Sequence, residues 1–230
     1  MARKKRIGEC AYCGNVAELT DDHVIPKCLF QRPLPSNPVK APACLTCNNE
    51  KSKTDDYLRD FLVVDAYASD HKIAQALFRD KMISSVRQNS SALAKTALSK
   101  SKPHSIYSPG GIYIGDVLSF PIEAKEIFSR IARGLYYNIQ RKRIPDDYIF
   151  SVTRPEPQRL EEIMAHFVQL PHLAFRVGDH GEFTSIFVGS TADPFTMIWL
   201  LWFYESICIA VEVDPPPKNH ELNAGATELN

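Results

Sequence analysis

The 230-residue sequence lacks an apolar stretch of the length that a membrane-spanning helix needs, which is about 18 residues. Its nearest approach, Phe195 to Tyr204, is short and ends at Glu205. The basic run from Arg3 to Arg6 is not followed by the apolar segment of a secretory signal. We therefore expect a cytoplasmic protein without membrane contact, in a compartment where thiols stay reduced.

The sequence also lacks net charge, because 27 Lys and Arg are matched by 27 Asp and Glu. The charge is unevenly distributed, however. Residues 61–143 hold 13 basic against 6 acidic residues, whereas residues 144–230 hold 4 against 13. A polyanion would be attracted to the first two thirds of the chain and repelled by the last third. For the acidic end, an ordinary scatter of solvated charges is the preferred interpretation.

Cysteine is scarce, and four of the six cysteines form two Cys-x2-Cys pairs. These pairs are Cys10-x2-Cys13 and Cys44-x2-Cys47. In a reducing compartment, four thiolates at this spacing indicate a closed, structural zinc site and not a disulfide. Residues 1–54 contain many prolines and no long periodic segment, so zinc binding, worth roughly 10–16 kcal/mol in small peptides, would stabilise them. Cys28 and Cys208 are expected to be thiols without a ligand role.

The dipeptide Asp22-His23 lies between the cysteine pairs, within Asp22-His23-Val24-Ile25-Pro26, and Asn48 follows the fourth cysteine. Neutral imidazole has an unperturbed pKa near neutrality, so His23 can take a proton from water. On a strand, the side chains of Asp22 and His23 would point to opposite faces. These residues suit an enzyme that hydrolyses phosphodiesters. The alternatives are a His23 merely packed against the zinc site, Asp21 in place of Asp22, and Asn49 in place of Asn48.

Residues 8–54 resemble the HNH nucleases, whose fold is the ββα-metal fold. The resemblance rests on the cysteine pairs, the Asp22–Pro26 motif, Asn37, and Asn48-x2-Lys51, with Asn48 giving an H-N-N variant. It implies that His23 is the general base, that Asp22 and Asn48 bind Mg²⁺ or Mn²⁺, and that cleavage of DNA leaves a 5′ phosphate. It also implies that Asn37 braces the loop that orients the histidine, although Asn37 before Pro38 is equally a good turn former.

Basic side chains provide the candidate nucleic-acid contacts. They are Lys51 and Lys53 near the cysteines, and Arg130, Arg133 and Arg141 farther along the chain. The three arginines share one face of a helix predicted over 123–143, together with Tyr137. Such a face can follow a phosphate backbone. The alternative is an ordinary solvated face, partly neutralised by Glu126.

The chain after Thr54 shows helical periodicity and then alternating strand and helix patterns. Helices are predicted over 69–88, 92–99, 123–143 and 157–170, and strands over 112–114, 148–153, 173–177, 183–188, 197–204 and 207–213. We therefore predict an α+β protein in three parts. These are a zinc-stabilised ββα-metal module over 1–54, a helical and then α+β domain with an antiparallel sheet over 55–214, and a disordered tail over 215–230.

The sequence thus predicts a metal-dependent endonuclease that acts on DNA, with structural Zn²⁺ and catalytic Mg²⁺ or Mn²⁺. RNA is an alternative substrate, as in an RNase or a toxin. A non-catalytic zinc module that binds nucleic acid or protein is the alternative from a different functional class. The domain after residue 54 would position the substrate or bind a protein partner.

Overall fold

The computed structural model describes residues 6–88, 90, 91, 93–95, 99, 102–119 and 124–217. It is a mixed α and β structure with a three-stranded sheet near the N-terminus, a two-stranded hairpin, and a five-stranded antiparallel sheet. None of the helices within these ranges combines the length and the apolar character needed to cross a bilayer.

The N-terminal sheet has the strand order β1-β2-β3, and all of its pairs are antiparallel. Its strands are β1 (Ile7–Glu9), β2 (Val16–His23) and β3 (Lys40–Cys44). The turn from β1 to β2 holds the first cysteine pair and passes through Gly14, whose φ of 75° is accessible to glycine without a steric cost. Side chains alternate between the two faces of β2, so Asp22 is buried whereas His23 is half-buried.

Helix α1 (Leu45–Ala66) begins directly after β3. Cys44 is its N-cap, and the backbone N–H of Cys47 donates to the Cys44 sulfur over 3.5 Å. The helix therefore begins nine residues before Thr54, after which the sequence shows helical periodicity. The first turns of α1 are polar and lack helical periodicity, and their conformation comes from the cap and from packing against β2 and β3. The predicted boundary after residue 54 lies inside this helix.

The helical segment that the sequence predicts over 69–88 is confirmed, with a later start and an irregular middle. It consists of α2 (Lys72–Leu77), a π-helical turn (Phe78–Met82) and α3 (Ile83–Arg87). It begins at Lys72 because Asp70 has a φ of 60°, which interrupts the helical path. Of the helix predicted over 92–99, residues 93–95 and 99 are helical and the others lie outside the described residues.

A β-hairpin and a long helix follow. The hairpin joins β4 (Lys102–Tyr107) to β5 (Tyr113–Ser119), so the strand predicted over 112–114 is longer than expected. Helix α4 (Ala124–Gln140) ends before the predicted residue 143 because Arg141 adopts a φ of 56°.

The C-terminal sheet has the order β6-β10-β9-β8-β7 and confirms the predicted antiparallel strands. Its strands are β6 (Ile149–Thr153), β7 (Leu173–Val177), β8 (Phe183–Gly189), β9 (Met197–Phe203) and β10 (Ile207–Asp214). Helix α5 (Pro157–Phe167) covers one face, where Phe167 packs with Leu200 and Cys208. Helix α4 covers the other face, with ring centroids of Phe128 and Phe203 5.9 Å apart. The predicted disordered tail falls mainly on residues 218–230, outside the described residues.

Helix α4 and the C-terminal sheet hold the segment around His23 in place. A Cβ on Gly134 of α4 would lie 2.8 Å from both γ-carbons of Val24, so only glycine allows this close approach. The Asn138 side chain donates to the carbonyl of Lys40 over 3.1 Å. Tyr204, after β9, donates to the carbonyl of Leu29 over 2.9 Å. The chain beyond residue 54 therefore contributes directly to the position of β2 and of the segment that follows it.

Candidate metal centre and active-site pocket

The four paired cysteines converge on one point. Cys10 and Cys13 come from the β1–β2 turn, Cys44 ends β3, and Cys47 lies in the first turn of α1. Their sulfur atoms all lie within 4.8 Å of one another, and the Cys13 and Cys44 sulfurs are 3.8 Å apart. A tetrahedral site with Zn–S bonds of about 2.3 Å has sulfurs about 3.8 Å apart. The geometry therefore fits a metal ion such as zinc held by four thiolates, with no open coordination position.

The chemistry of these thiols also fits a bound cation. Burial raises the pKa of Cys47, and hydrogen bonds with Cys44 and Cys13 raise it further. For Cys10, burial opposes ionisation, but backbone hydrogen bonds, led by that from Cys13, lower the pKa of the thiol to about 7. The four thiols cannot all ionise together unless a cation neutralises their charge. A zinc ion bound by the four sulfurs would be such a cation.

Asp22 is buried at the end of β2 and has two polar partners. The Tyr12 hydroxyl donates to its carboxylate over 2.5 Å, and the ammonium nitrogen of Lys51 lies 3.3 Å away. Lys51 also donates to the backbone carbonyl of His23 over 2.6 Å and lies 3.6 Å from Asp55. A buried carboxylate needs hydrogen-bond donors or cations around it, and Tyr12 and Lys51 provide them for Asp22.

These contacts of Lys51 contradict the prediction that its side chain contacts phosphate. The Lys51 side chain is 6% exposed, and its ammonium group is engaged with protein oxygens. The reason is the early start of α1, which turns Lys51 inward onto β2 instead of leaving it at an exposed helix end. The side chain of Lys53 lies outside the described part of the chain, so its predicted contact stays a prediction.

His23 has the properties of a neutral base. Burial lowers the pKa of its imidazole, and the nearby positive charges of Lys27 and Lys40 lower it further. The ring forms no hydrogen bond with any residue that the structure describes, so both nitrogens can meet water or a ligand. The alternative of a histidine merely packed against the cysteines is less consistent with this open ring.

Asp22, His23 and Asn48 line one pocket of about 360 Å³. Asn48 donates through its side-chain nitrogen to the Thr20 hydroxyl over 3.0 Å, which leaves its amide oxygen available as a ligand. The pocket lining includes four aspartates, Asp21, Asp22, Asp55 and Asp56, against the ammonium groups of Lys27 and Lys51. Arg6 pairs with Asp21 and Arg59 with Asp56, so Asp22 and Asp55, which share Lys51, are the carboxylates best placed to bind a divalent cation.

The lining of the pocket bears on two choices that the sequence leaves open, namely Asn48 or Asn49 and Asp22 or Asp21. Asn49 does not line the pocket, and its carbonyl accepts from Ser52, so the geometry favours Asn48. Asp21 lines the pocket together with Asp22, but its carboxylate is exposed and accepts from Arg6 over 2.7 Å. Asp21 therefore remains an alternative metal ligand, although its carboxylate is already paired with Arg6.

Asn37 does not join this group. Its side-chain nitrogen donates to the carbonyl of Arg176 over 2.9 Å, and its oxygen accepts from the backbone N–H of Gly178 at 3.5 Å. The segment between β2 and β3 reaches across to the end of β7, so Asn37 ties the two sheets together. The predicted brace beside His23 is replaced by a backbone contact, in which the N–H of Val24 donates to Val39 over 3.0 Å.

The predicted basic face of α4 is largely absent, because two of its three arginines are engaged with other protein groups. Arg130 is 16% exposed and pairs with Glu126 at 3.2 Å and with Glu50 at 3.8 Å. Arg133 donates to the carbonyl of Ile144 over 2.7 Å, stacks 4.5 Å above the Phe150 ring, and has its pKa lowered by burial. Helix α4 lies between the two sheets, so both of its sides are covered. Of the three arginines, only Arg141, beyond the helix end, is exposed.

Two residues in or near the pocket, Tyr12 and Asp55, are not among the site residues that the sequence predicts. Tyr12, inside the first cysteine pair, donates to Asp22. Asp55 lies four residues after Lys51 on α1; burial and then the charge of Asp22 raise the pKa of its carboxyl group to about 6, while Lys51 opposes the shift. The spacing of Lys51 and Asp55 could have indicated their ion pair, because residues four apart are neighbours on a helix.

Comparison with known proteins adds no relative. No family model, no curated protein and no solved structure matches the chain.

Proposed function

We propose that this protein is a metal-dependent endonuclease of the HNH type that hydrolyses phosphodiester bonds in DNA. One observation carries the proposal: Asp22, His23 and Asn48 share a single acidic pocket beside a four-cysteine cluster. The order of β2, β3 and α1 around that pocket supports the ββα-metal assignment, which belongs to the same proposal.

Each residue would have a separate task. The neutral ring of His23 accepts a proton from the attacking water, which makes that water a nucleophile. The Asp22 carboxylate and the Asn48 amide oxygen act as ligands on the inner side of the pocket. A Mg²⁺ or Mn²⁺ ion bound there supplies stabilisation of the charge that develops on the phosphorus oxygens and the leaving oxygen. Lys51 pairs with Asp22 and donates to the carbonyl of His23.

The second candidate function is a non-catalytic zinc module that binds nucleic acid or protein. One observation favours it, namely that Asp22 is already satisfied by Tyr12 and Lys51. The excess of carboxylates in the pocket and the unengaged ring of His23 favour the enzyme, because neither feature serves a purely structural module.

A plasmid assay tests the proposal. The full-length protein is expected to nick or linearise supercoiled plasmid when Mg²⁺ or Mn²⁺ is present. Brief chelation should stop cleavage and added Mg²⁺ should restore it, because oxygen ligands release their ion readily whereas four thiolates retain zinc. Stable binding without cleavage in either metal would contradict the enzyme and support the zinc module. Matched RNA and DNA substrates separate a DNase from an RNase or toxin.

A further inference from the structure

Two larger pockets each share a lining residue with the active-site pocket. The first, which we call the β3–α4 groove, has a volume of about 520 Å³, is lined by Lys40 and Arg141, and shares Asp21 with the active-site pocket. The second, the α2-side groove, has a volume of about 580 Å³, is lined by Arg32 and Lys81, and shares Lys27 with the active-site pocket. Each groove is therefore a neighbour of the active-site pocket.

The β3–α4 groove carries positive charge that nothing in the described structure neutralises. Its other charged residues are paired, since Arg6 contacts Asp21 at 2.7 Å and Glu9 lies 3.6 Å from Arg143. Lys40 and Arg141 are exposed and form no ion pair within the described residues.

The α2-side groove has the same character. Arg59 is neutralised by Asp56 and Asp60, each at 2.6 Å. Its remaining cationic residues, Lys27, Arg32 and Lys81, are exposed and form no ion pair within the described residues, and the lining includes one carboxylate, Asp80.

Unpaired cations thus line both grooves, whereas the pocket that they share residues with is lined by four aspartates, of which Asp21 pairs with Arg6 and Asp56 with Arg59. A cation in the acidic pocket would meet one phosphate of a nucleic-acid strand, and the basic grooves would meet the phosphates before and after it. A polyanion gains from each neutralised phosphate through counterion release, so a strand spanning all three pockets binds better than an isolated phosphodiester. Lys40 pairs with His23 across β2 and β3, and Lys27 lines the active-site pocket, so both grooves have a cation beside the proposed reacting group.

We propose that a DNA backbone lies across both grooves, with Lys40 and Arg141 contacting phosphates on one side of the scissile bond and Lys27, Arg32 and Lys81 on the other. The proposal rests on the proposed function for the placement of the scissile bond. It assigns a substrate-binding role to Arg141 and Lys81, which lie outside residues 1–54. Residues beyond the cysteine motifs then favour binding of a polymeric substrate over binding of an isolated phosphodiester.

Binding measurements test this without cleavage. In a His23→Ala background, a short fluorescent DNA duplex is titrated with two double variants, Lys40→Gln/Arg141→Gln and Arg32→Gln/Lys81→Gln. The matched control is Lys72→Gln/Arg87→Gln, which removes the same charge from exposed positions outside both grooves. We expect each groove variant to weaken binding about tenfold or more and to reduce the salt dependence of log K by about two, one for each lost phosphate contact. The control should leave both values unchanged.

The outcomes separate the two proposals. If either groove variant binds as tightly as the control, a strand spanning both grooves is excluded, whether or not the wild-type protein cuts DNA. If both variants lose affinity while the wild-type protein cuts no plasmid, the grooves stand as a DNA-binding surface and the nuclease assignment falls. If the His23→Ala protein binds no DNA at all, the proposal that the two grooves bind DNA is wrong.

Discussion

Replacement of His23 by alanine is expected to reduce DNA cleavage by about 10²–10⁴-fold, the usual contribution of a general base. The loss follows from the removal of the proton acceptor, since no other imidazole lines the pocket among the described residues. Folding should be unaffected, because the ring is only half-buried and makes no hydrogen bond with any described residue. The comparison is plasmid cleavage by purified proteins whose zinc content and melting temperature are equal. His172→Ala, a substitution at an exposed histidine away from the pocket, is the matched control.

The pH dependence of cleavage identifies the role of His23 more specifically. Burial and the neighbouring lysines lower the pKa of the imidazole from its usual 6.5, so the ring is neutral at and above pH 7. A bound divalent ion beside Asp22 would lower it further. Wild-type cleavage should therefore be level through neutral pH and fall tenfold per pH unit only in the acid range below that pKa. The residual activity of His23→Ala should lack this acid limb. Wild-type rates in the variant, at matched zinc content, would exclude His23 as the base.

Replacement of Cys44 by serine is expected to have the largest effect on stability. Cys44 ends β3, caps α1, and supplies one of four sulfurs to the metal centre, so its loss affects two elements and a ligand together. Structural zinc contributes about 10–16 kcal/mol in small peptides, and one kcal/mol shifts the melting temperature of a chain of this size by about 2–4 °C. We expect loss of stoichiometric zinc, a melting temperature lower by more than about 10 °C, and unfolding of residues 1–54.

The control for this substitution is Cys28→Ser. Cys28 lies outside the sulfur cluster, and its thiol donates to the carbonyl of Asp55 over 3.3 Å, a bond that a serine hydroxyl can also form. This variant should retain zinc and melt within a few degrees of the wild type. Equal zinc content and equal melting temperature for Cys44→Ser and the wild type would show that the cluster holds no structural metal.

The features that the sequence predicts well are those set by local chemistry. The spacing of the two Cys-x2-Cys pairs predicts the cluster, and the pairing of β2 with β3 brings the four sulfurs together. The strands of the C-terminal sheet are apolar and separated by turn residues, and the hairpin at Gly178 and Gly181 uses positive φ angles as its sequence suggests.

The features that the sequence misses depend on tertiary packing. Helix α1 begins at Leu45 although its first turns are polar, because a sulfur cap and two strands hold them. That start turns Lys51 inward. Arg133 lies on the face of α4 that appears polar in projection, yet it packs against the edge strand β6 of the C-terminal sheet, where its guanidinium stacks on Phe150. Asn37 contacts Arg176 across the chain, a pairing between residues far apart in sequence. No periodicity encodes such contacts.

The most direct test of the proposed site is the position of manganese in crystals of the zinc-loaded protein, located by anomalous diffraction. We predict one Mn²⁺ ion in the active-site pocket, within about 2.0–2.6 Å of carboxylate oxygen of Asp22 and amide oxygen of Asn48, in the same pocket as the open ring of His23. Zinc should appear separately, about 2.3 Å from each of the four sulfurs. A manganese ion bound elsewhere, or a pocket where Lys51 alone remains on Asp22 at saturating Mn²⁺, would contradict the proposed centre.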